Sequence, residues 1–179
     1  MNANRRCYLL NPRHNGPQLD QYLKRGEELE IPKRHLPSHR PVWYLPENRS
    51  AAAIWTAVFS RESVKFILNT SGAKNLTCFH GLYTKSGHEN LSPLMTLFLN
   101  SSWGRSSFSK VNRFYGDGLN KLEPKDVEAM QCPELPTQTA AQAADVSRQL
   151  LAIESLPDSV RQQEIDRLAT TLLNLQEVR

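Results

Sequence analysis

The hydrophobic pattern of this 179-residue chain changes period partway along, and that change decides which folds are open to it. Ala53–Phe59, Val64–Leu68 and Leu76–Thr84 combine β-branched and aromatic residues with partial alternation, bounded by Ser, Asn and Gly, which predicts strands. At Leu91–Asn100 the spacing becomes three and four, through Leu91, Leu94, Met95, Phe98 and Leu99. That spacing predicts an amphipathic helix, with Asn90 or Ser92 as N-cap and Pro93 just inside. Strands and helices in separate blocks specify an α+β domain, here a small mixed β-sheet with packed helices.

The flanks are read from their breakers. Residues 1–49 are basic and irregular, with proline at 12, 17, 32, 37, 41 and 46. One helix is expected from Pro17 to about Leu29, with Gly26 ending or interrupting it. The stretch from Arg34 to Arg49 has too many prolines for a central strand, leaving Val42–Leu45 as a short edge strand. Gly104–Ser109 reads as a polar loop, and Phe114–Leu122 as a strand folded at Gly116-Asp117-Gly118. Pro124, Asp126 and Glu128 open a short helix whose acids suit the positive end of its dipole. After Pro136 the composition shifts to Ala, Gln, Leu and alternating charge. Thr139–Ser155 and Asp158–Val178 predict a C-terminal helical hairpin, the second helix carrying an apolar stripe of Val160, Ile165, Leu168, Leu172 and Leu175. Two regions are therefore expected, 1–136 and 137–179, the hairpin packed on the first or docking a partner.

Charge divides the chain near the same place. Residues 1–121 hold 17 Lys and Arg against 8 Asp and Glu, whereas 122–179 hold 5 against 10, within a net charge of +4. The first part is built to face a polyanion. No window approaches the roughly 20 apolar residues of a membrane span, and the N-terminus lacks the apolar run of a secretory signal. Cys7, Cys78 and Cys132 are an odd and widely spaced set, which fits reduced thiols and a cytoplasmic location. On those grounds the Asn-x-Ser/Thr sequons carry no glycan.

Catalytic signatures are weak. No Gly-x-Ser-x-Gly elbow occurs, Cys78-x-His80 has no CxxC pair to anchor a metal, and Gly116-x-Gly118 reads as a turn rather than a dinucleotide fingerprint. Basic and aromatic residues instead interleave through the first two-thirds. Among them are Arg34, Arg40, Trp43, Tyr44, Arg49, Lys74, His80, Arg105, Lys110 and Arg113. Guanidinium and ammonium groups bind phosphates, and Arg, Asn and Ser also read base edges.

A longer pattern gives these residues a context. Leu99-Asn100-Ser101 precedes Tyr115-Gly116-x-Gly118-Leu119-x-Lys121-Leu122-x-Pro124-x-Asp126-Val127, and Pro133 closes the run. This order resembles the C-terminal target-recognition domain of N6-adenine DNA methyltransferases, with Cys132 where that family usually has Val or Ile. The likeness spans most of residues 5–136. It includes Arg40-Pro41-Val42-Trp43-Tyr44 and, at the entry, a Gly-Glu pair at Gly26-Glu27.

The resemblance implies sequence-specific binding of duplex DNA beside a methylation domain that transfers a methyl group from S-adenosylmethionine to adenine. That catalytic part needs a glycine-rich cofactor turn and an Asn-Pro-Pro-aromatic loop around the flipped base. Asn11-Pro12-Arg13-His14 only echoes the loop. The chain is thus expected to be no enzyme by itself, to hold no cofactor, and to act as a DNA reader apart from its methylation domain. The implied DNA-binding residues are Arg34, Arg40, Arg49, Lys74, His80, Arg105, Lys110, Arg113 and Lys121. One rival is a protein-interaction module whose hairpin docks a methyltransferase subunit. Another is a single-strand or RNA binder, which requires Phe79, Trp103 and Phe108 to be exposed in a basic groove.

Overall fold

A computed structural model describes Pro12 and residues 16–61, 63–111, 114–115 and 119–175. Backbone contacts divide the chain into two compact units, Met1–Arg49 and Ser50–Arg179. The hairpin therefore shares a unit with the strands, and the boundary falls earlier than composition alone places it.

In the first unit, α1 covers Pro17–Glu28, with proline in its first turn and Asp20 near the positive end of its dipole. The helix runs through Gly26 instead of stopping there. The Trp43 ring lies so close that a Cβ on Gly26 would sit 2.5 Å from its Cη2 atom, so only hydrogen fits. Glu30, in the left-handed region, turns the chain into a short 3-10 turn at Ile31–Lys33, and α2 follows at His35–Ser38. Val42–Leu45 is a turn rather than an edge strand, with the Leu45 amide donating to the Val42 carbonyl. Trp43 and Tyr44 meet edge to face at 5.4 Å between ring centres, packing residues rather than a free stacking pair.

The second unit holds β1 (Ile54–Ala57), β2 (Phe59–Ser60), β3 (Phe66–Leu68) and β4 (Phe79–Leu82), then α3 (Ser92–Asn100) and α4 (Ser102–Ser109). It continues with β5 (Phe114–Tyr115), β6 (Leu119–Lys121), α5 (Pro124–Glu128), α6 (Ala140–Glu154) and α7 (Asp158–Leu173). The α+β class holds, but its strands form two three-stranded antiparallel sheets, ordered β3-β1-β4 and β2-β6-β5, instead of one mixed sheet. The division comes at Val58. Its amide donates to Cys78 and its carbonyl accepts from Leu122, so the chain leaves one sheet and enters the other at a single residue.

Helix α3 is the axis of this unit, and it is buried all round rather than on one stripe. Leu94 and Leu97 pack with Val146, Leu150 and Ile153 of α6 and with Ile165, Leu168 and Ala169 of α7. Phe98 and Leu99 pack on the other side with Ile54, Val64, Phe66, Phe108 and Leu122. The hairpin's stripe is thus largely spent inside its own unit: Ile165 and Leu168 are buried, and only Val160 at the far end is exposed.

Helix α4 lies where the Ser- and Gly-rich sequence predicts a loop. One local cap and two contacts from outside the helix account for it. Ser101 accepts from the Gly104 amide as N-cap. Asp166, from α7, accepts from the Ser102 amide (2.7 Å) and the Ser102 hydroxyl (2.6 Å), placing a carboxylate on the positive helix end. A Cβ at Gly104 would lie 2.2 Å from the Phe98 carbonyl oxygen, so the α3–α4 corner closes only around glycine. Helix α6 instead begins with a local signature, a Thr139/Gln142 capping box.

Candidate nucleic-acid interface

The residues that carry the family-like pattern are mostly builders. Asn100 is buried, and its amide accepts from the Phe66 amide (3.0 Å) while donating to the Phe66 carbonyl (2.7 Å) and the Thr96 carbonyl (2.9 Å). It thereby satisfies the open side of edge strand β3. Leu122 is fully buried. Asp126 accepts from the Glu123 amide, completing a capping box at α5. Glu123 lies between Lys125 (2.9 Å) and Lys121 (3.5 Å), and the hydrogen bond from Lys125 holds its carboxyl below the usual glutamate range. The Gly116-Asp117-Gly118 turn lies outside the described residues, as do Arg113 and Asn11.

The cations chosen from sequence are divided between the two units. Arg34, Arg40 and Arg49 belong to the first unit. Arg34 is exposed, Arg40 donates to the Leu45 carbonyl, and Arg49 pairs with Glu47 at 2.7 Å. In the second unit Lys74 is exposed on the loop leading to β4, and Lys110 is exposed at the end of α4. Arg105 is half-buried on α4, and Lys121 is tied to Glu123. His80 faces inward opposite Thr56 and donates through Nε2 to the Leu122 carbonyl at 3.0 Å, a brace between the two sheets.

Strand register shows which side chains the β3-β1-β4 sheet offers to solvent. Ile54, Thr56, Phe66 and His80 point inward, and Trp55, Ala57, Ile67 and Phe79 share the outer face. Ile67 is 48% and Phe79 37% exposed, and the Trp55 and Phe79 rings lie 6.2 Å apart. Of the three aromatics that a single-strand binder would need exposed, Phe108 is buried and Trp103 packs against both cores, leaving Phe79 alone.

Lys85, one of the interleaved basic residues, is exposed, as are Arg61 and Lys65, which no motif singles out, and like Lys110 they have no ion pair among the described residues. In the sequence Arg61 and Lys85 follow predicted strands and Lys65 lies within one, a placement that any surface lysine or arginine shares.

Other chemistry has little to stand on. Cys78 is exposed while His80 is turned inward, and no group of three or more His, Cys, Asp and Glu able to hold a metal occurs among the described residues. A His-x-x-x-His pair, unexpected from the sequence, does occur at His35, which opens α2, and His39, its C-cap, with rings 4.7 Å apart. A cavity of about 330 Å³ between β4, α3 and α5 is lined mainly by Ile54, Leu82, Met95, Phe98, Val127 and Met130. At its edge burial pushes the Cys132 thiol up, which favours the protonated form. No helix among the described residues is long and apolar enough to cross a membrane.

Known proteins resemble this chain over much of its length. Residues 1–170 match the family model described as "Type II methyltransferase M.Eco57I, C-terminal domain". The chain is 36% identical over 111 residues to the Type II methyltransferase M.AccI of Acinetobacter calcoaceticus, covering 61% of this chain and 21% of that protein. It is 28% identical over 102 residues to the Type II methyltransferase M.XamI of Xanthomonas campestris pv. amaranthicola, covering 56% of this chain and 19% of that protein. The match thus spans about a fifth of the length of each of these curated relatives. No solved structure matches. With nearly its whole length aligned to the family model, the chain belongs to the C-terminal domain family of the Type II methyltransferases.

Proposed function

We propose that the chain is the target-recognition part of a Type II DNA methyltransferase. It binds duplex DNA at a specific sequence and presents it to a methylation domain that moves a methyl group from S-adenosylmethionine to adenine N6. The transfer chemistry, the cofactor and the base-flipping pocket belong to that domain, in the same chain or in a partner subunit. This chain supplies register and sequence choice. The work takes place in the cytoplasm, where the DNA is.

One observation carries the reading. Between Ser50 and Lys121 the cations Arg61, Lys65, Lys85 and Lys110 are exposed and have no carboxylate partner among the described residues, in a unit whose motif residues are spent on folding. Unpaired exposed cations on a rigid scaffold are what a phosphate backbone needs. The rival docking role for the hairpin is disfavoured, because Ile165 and Leu168 already pack within the unit.

The test is a salt-titrated binding assay with a random duplex pool, followed by sequencing of the retained DNA. A shared short motif and a steep fall of affinity with salt are expected. Retention without enrichment and without salt dependence would overturn the reading. Adenine as the target is tested separately: DNA modified by the full methyltransferase carrying this domain, digested to nucleosides, should contain N6-methyladenine. A methylated cytosine instead would refute that part alone.

A further inference from the structure

The first unit holds two side chains that DNA recognition, as proposed above, does not use. His35 opens α2 and His39 is its C-cap, one helical turn later, and both are exposed. Their ring centres lie 4.7 Å apart, with the ring planes at 60°. The Nδ1 atom of His39 lies 2.6 Å from the His35 carbonyl oxygen. A carbonyl only accepts, so this nitrogen carries the hydrogen, and in the neutral ring the free lone pair is then on Nε2. The Ser38 hydroxyl donates to the same carbonyl at 2.9 Å and lies 3.2 Å from the same Nδ1 atom, which closes the turn around the His39 ring.

We propose that His35 and His39 form a two-histidine site for a divalent ion of the zinc, nickel and copper class, held through Nε2 of His39 and a ring nitrogen of His35. Histidines four residues apart on a helical turn share a face and can grip one ion between them. The ring separation fits: two imidazoles on one tetrahedral zinc have centres roughly 5 Å apart, given metal–nitrogen bonds of about 2.0–2.1 Å. A ring hydrogen bond from Nδ1 to a backbone carbonyl is also the outer contact that fixes the tautomer and orientation of a metal-bound histidine. The surroundings select the kind of ion. From Ile31 to Pro46 the sequence has no Asp or Glu, while Arg34 and Arg40 flank the pair. Calcium and magnesium need oxygen ligands and have none of the carboxylates they favour in this segment. Attraction between opposite charges does not drive binding here, so the ion must be one that bonds well to imidazole nitrogen. Two protein ligands leave positions for water, which makes the site open and reversibly filled rather than a structural metal core. It is independent of how the domain meets DNA.

The test titrates the intact, isotope-labelled and metal-free chain with zinc chloride, following the histidine ring nitrogens by NMR and the affinity by calorimetry. Zinc should shift Nε2 of His39 and one ring nitrogen of His35 together, with Nδ1 of His39 still protonated. Magnesium at the same concentration should shift neither ring. His35→Gln and His39→Gln should each weaken zinc binding at this site at least tenfold, because the remaining imidazole then binds alone. His88→Gln, at an exposed histidine of the second unit, should leave it unchanged. Melting temperatures are recorded without zinc, and if a variant melts early the paired ring shifts of the wild-type chain decide alone. Zinc that shifts neither ring, or one without the other, would overturn the proposal and leave the two rings as an edge-to-face packing pair. Wild-type affinity in both variants would do the same, placing the ion elsewhere, for instance on the exposed thiols of Cys78 and Cys132.

Discussion

The sheet region and the hairpin belong to one packed unit, yet they treat charge in opposite ways. Each described arginine of the hairpin is answered by an acid three residues earlier: Arg148 by Asp145, Arg161 by Asp158 and Arg167 by Glu164. In the sheet region Arg61, Lys65, Lys85 and Lys110 have no such partner among the described residues. Surface pairs at helical spacing add little stability, so the hairpin's acids matter mainly for the potential they cancel. The basic-then-acidic sequence is therefore a division of labour. One half leaves its exposed cations unanswered among the described residues, and the other pairs its arginines and spends its apolar stripe holding α3.

The strongest way to break this comparison is to ask whether the hairpin really is part of the scaffold. Leu168→Ala should destabilise the whole unit by about 2–5 kcal/mol, as buried leucine truncations do, and shift a single cooperative melt. A hairpin that melts early while the sheet signal stays put would show two separate bodies. Asp166→Ala tests the same link through polar contacts: it strips both acceptors from Ser102 at the head of α4 and should cost about 1–3 kcal/mol in urea unfolding. No change there would mean that α4 holds itself.

Reversing exposed hairpin charges sharpens the electrostatic side. Arg148→Glu and Arg167→Glu should each change stability by less than about 1 kcal/mol and leave duplex affinity within about twofold. A tenfold loss would show that the hairpin contributes to the DNA field after all. The smallest effect concerns Glu123. Its folded pKa lies below its unfolded value, so its contribution is present above the unfolded value and is lost as pH falls through the folded one. The melting-temperature gap between wild type and Glu123→Gln should thus stay constant near neutrality and close only below the usual glutamate range. A gap that opens in acid would reverse the assigned sign.

Much of the fold could be read in advance, because local rules and tertiary packing agree over most of it. The period change at Leu91, the shift in composition after Pro136 and the turn at Leu156-Pro157 placed α3, α6 and α7 from short-range signals. What could not be read was decided at a distance. Helix α4 owes its first turn to Asp166, 64 residues away, so its own Ser- and Gly-rich sequence argues for a loop. The all-round burial of α3 needs two partners, on opposite sides, that no window of sequence displays. Gly26 misled in the same way: the ring that requires it comes from Trp43.

The site was less legible than the fold. A pattern finds residues that must be particular types, and those, Asn100, Leu122 and Asp126 among them, turned out to build the frame. Contacts of the kind proposed for duplex DNA need only exposed cations, a property that no motif records.

The Asn100 side chain bears on how this domain fares at high concentration. By occupying the free amide and carbonyl of Phe66 it stands where another molecule's strand could otherwise attach. Open strand edges are templates for association between copies, and this one is closed by a single amide. Asn100 is thus a guard against aggregation as well as a brace. A domain that lost it would be expected to cloud during concentration before it lost its helices.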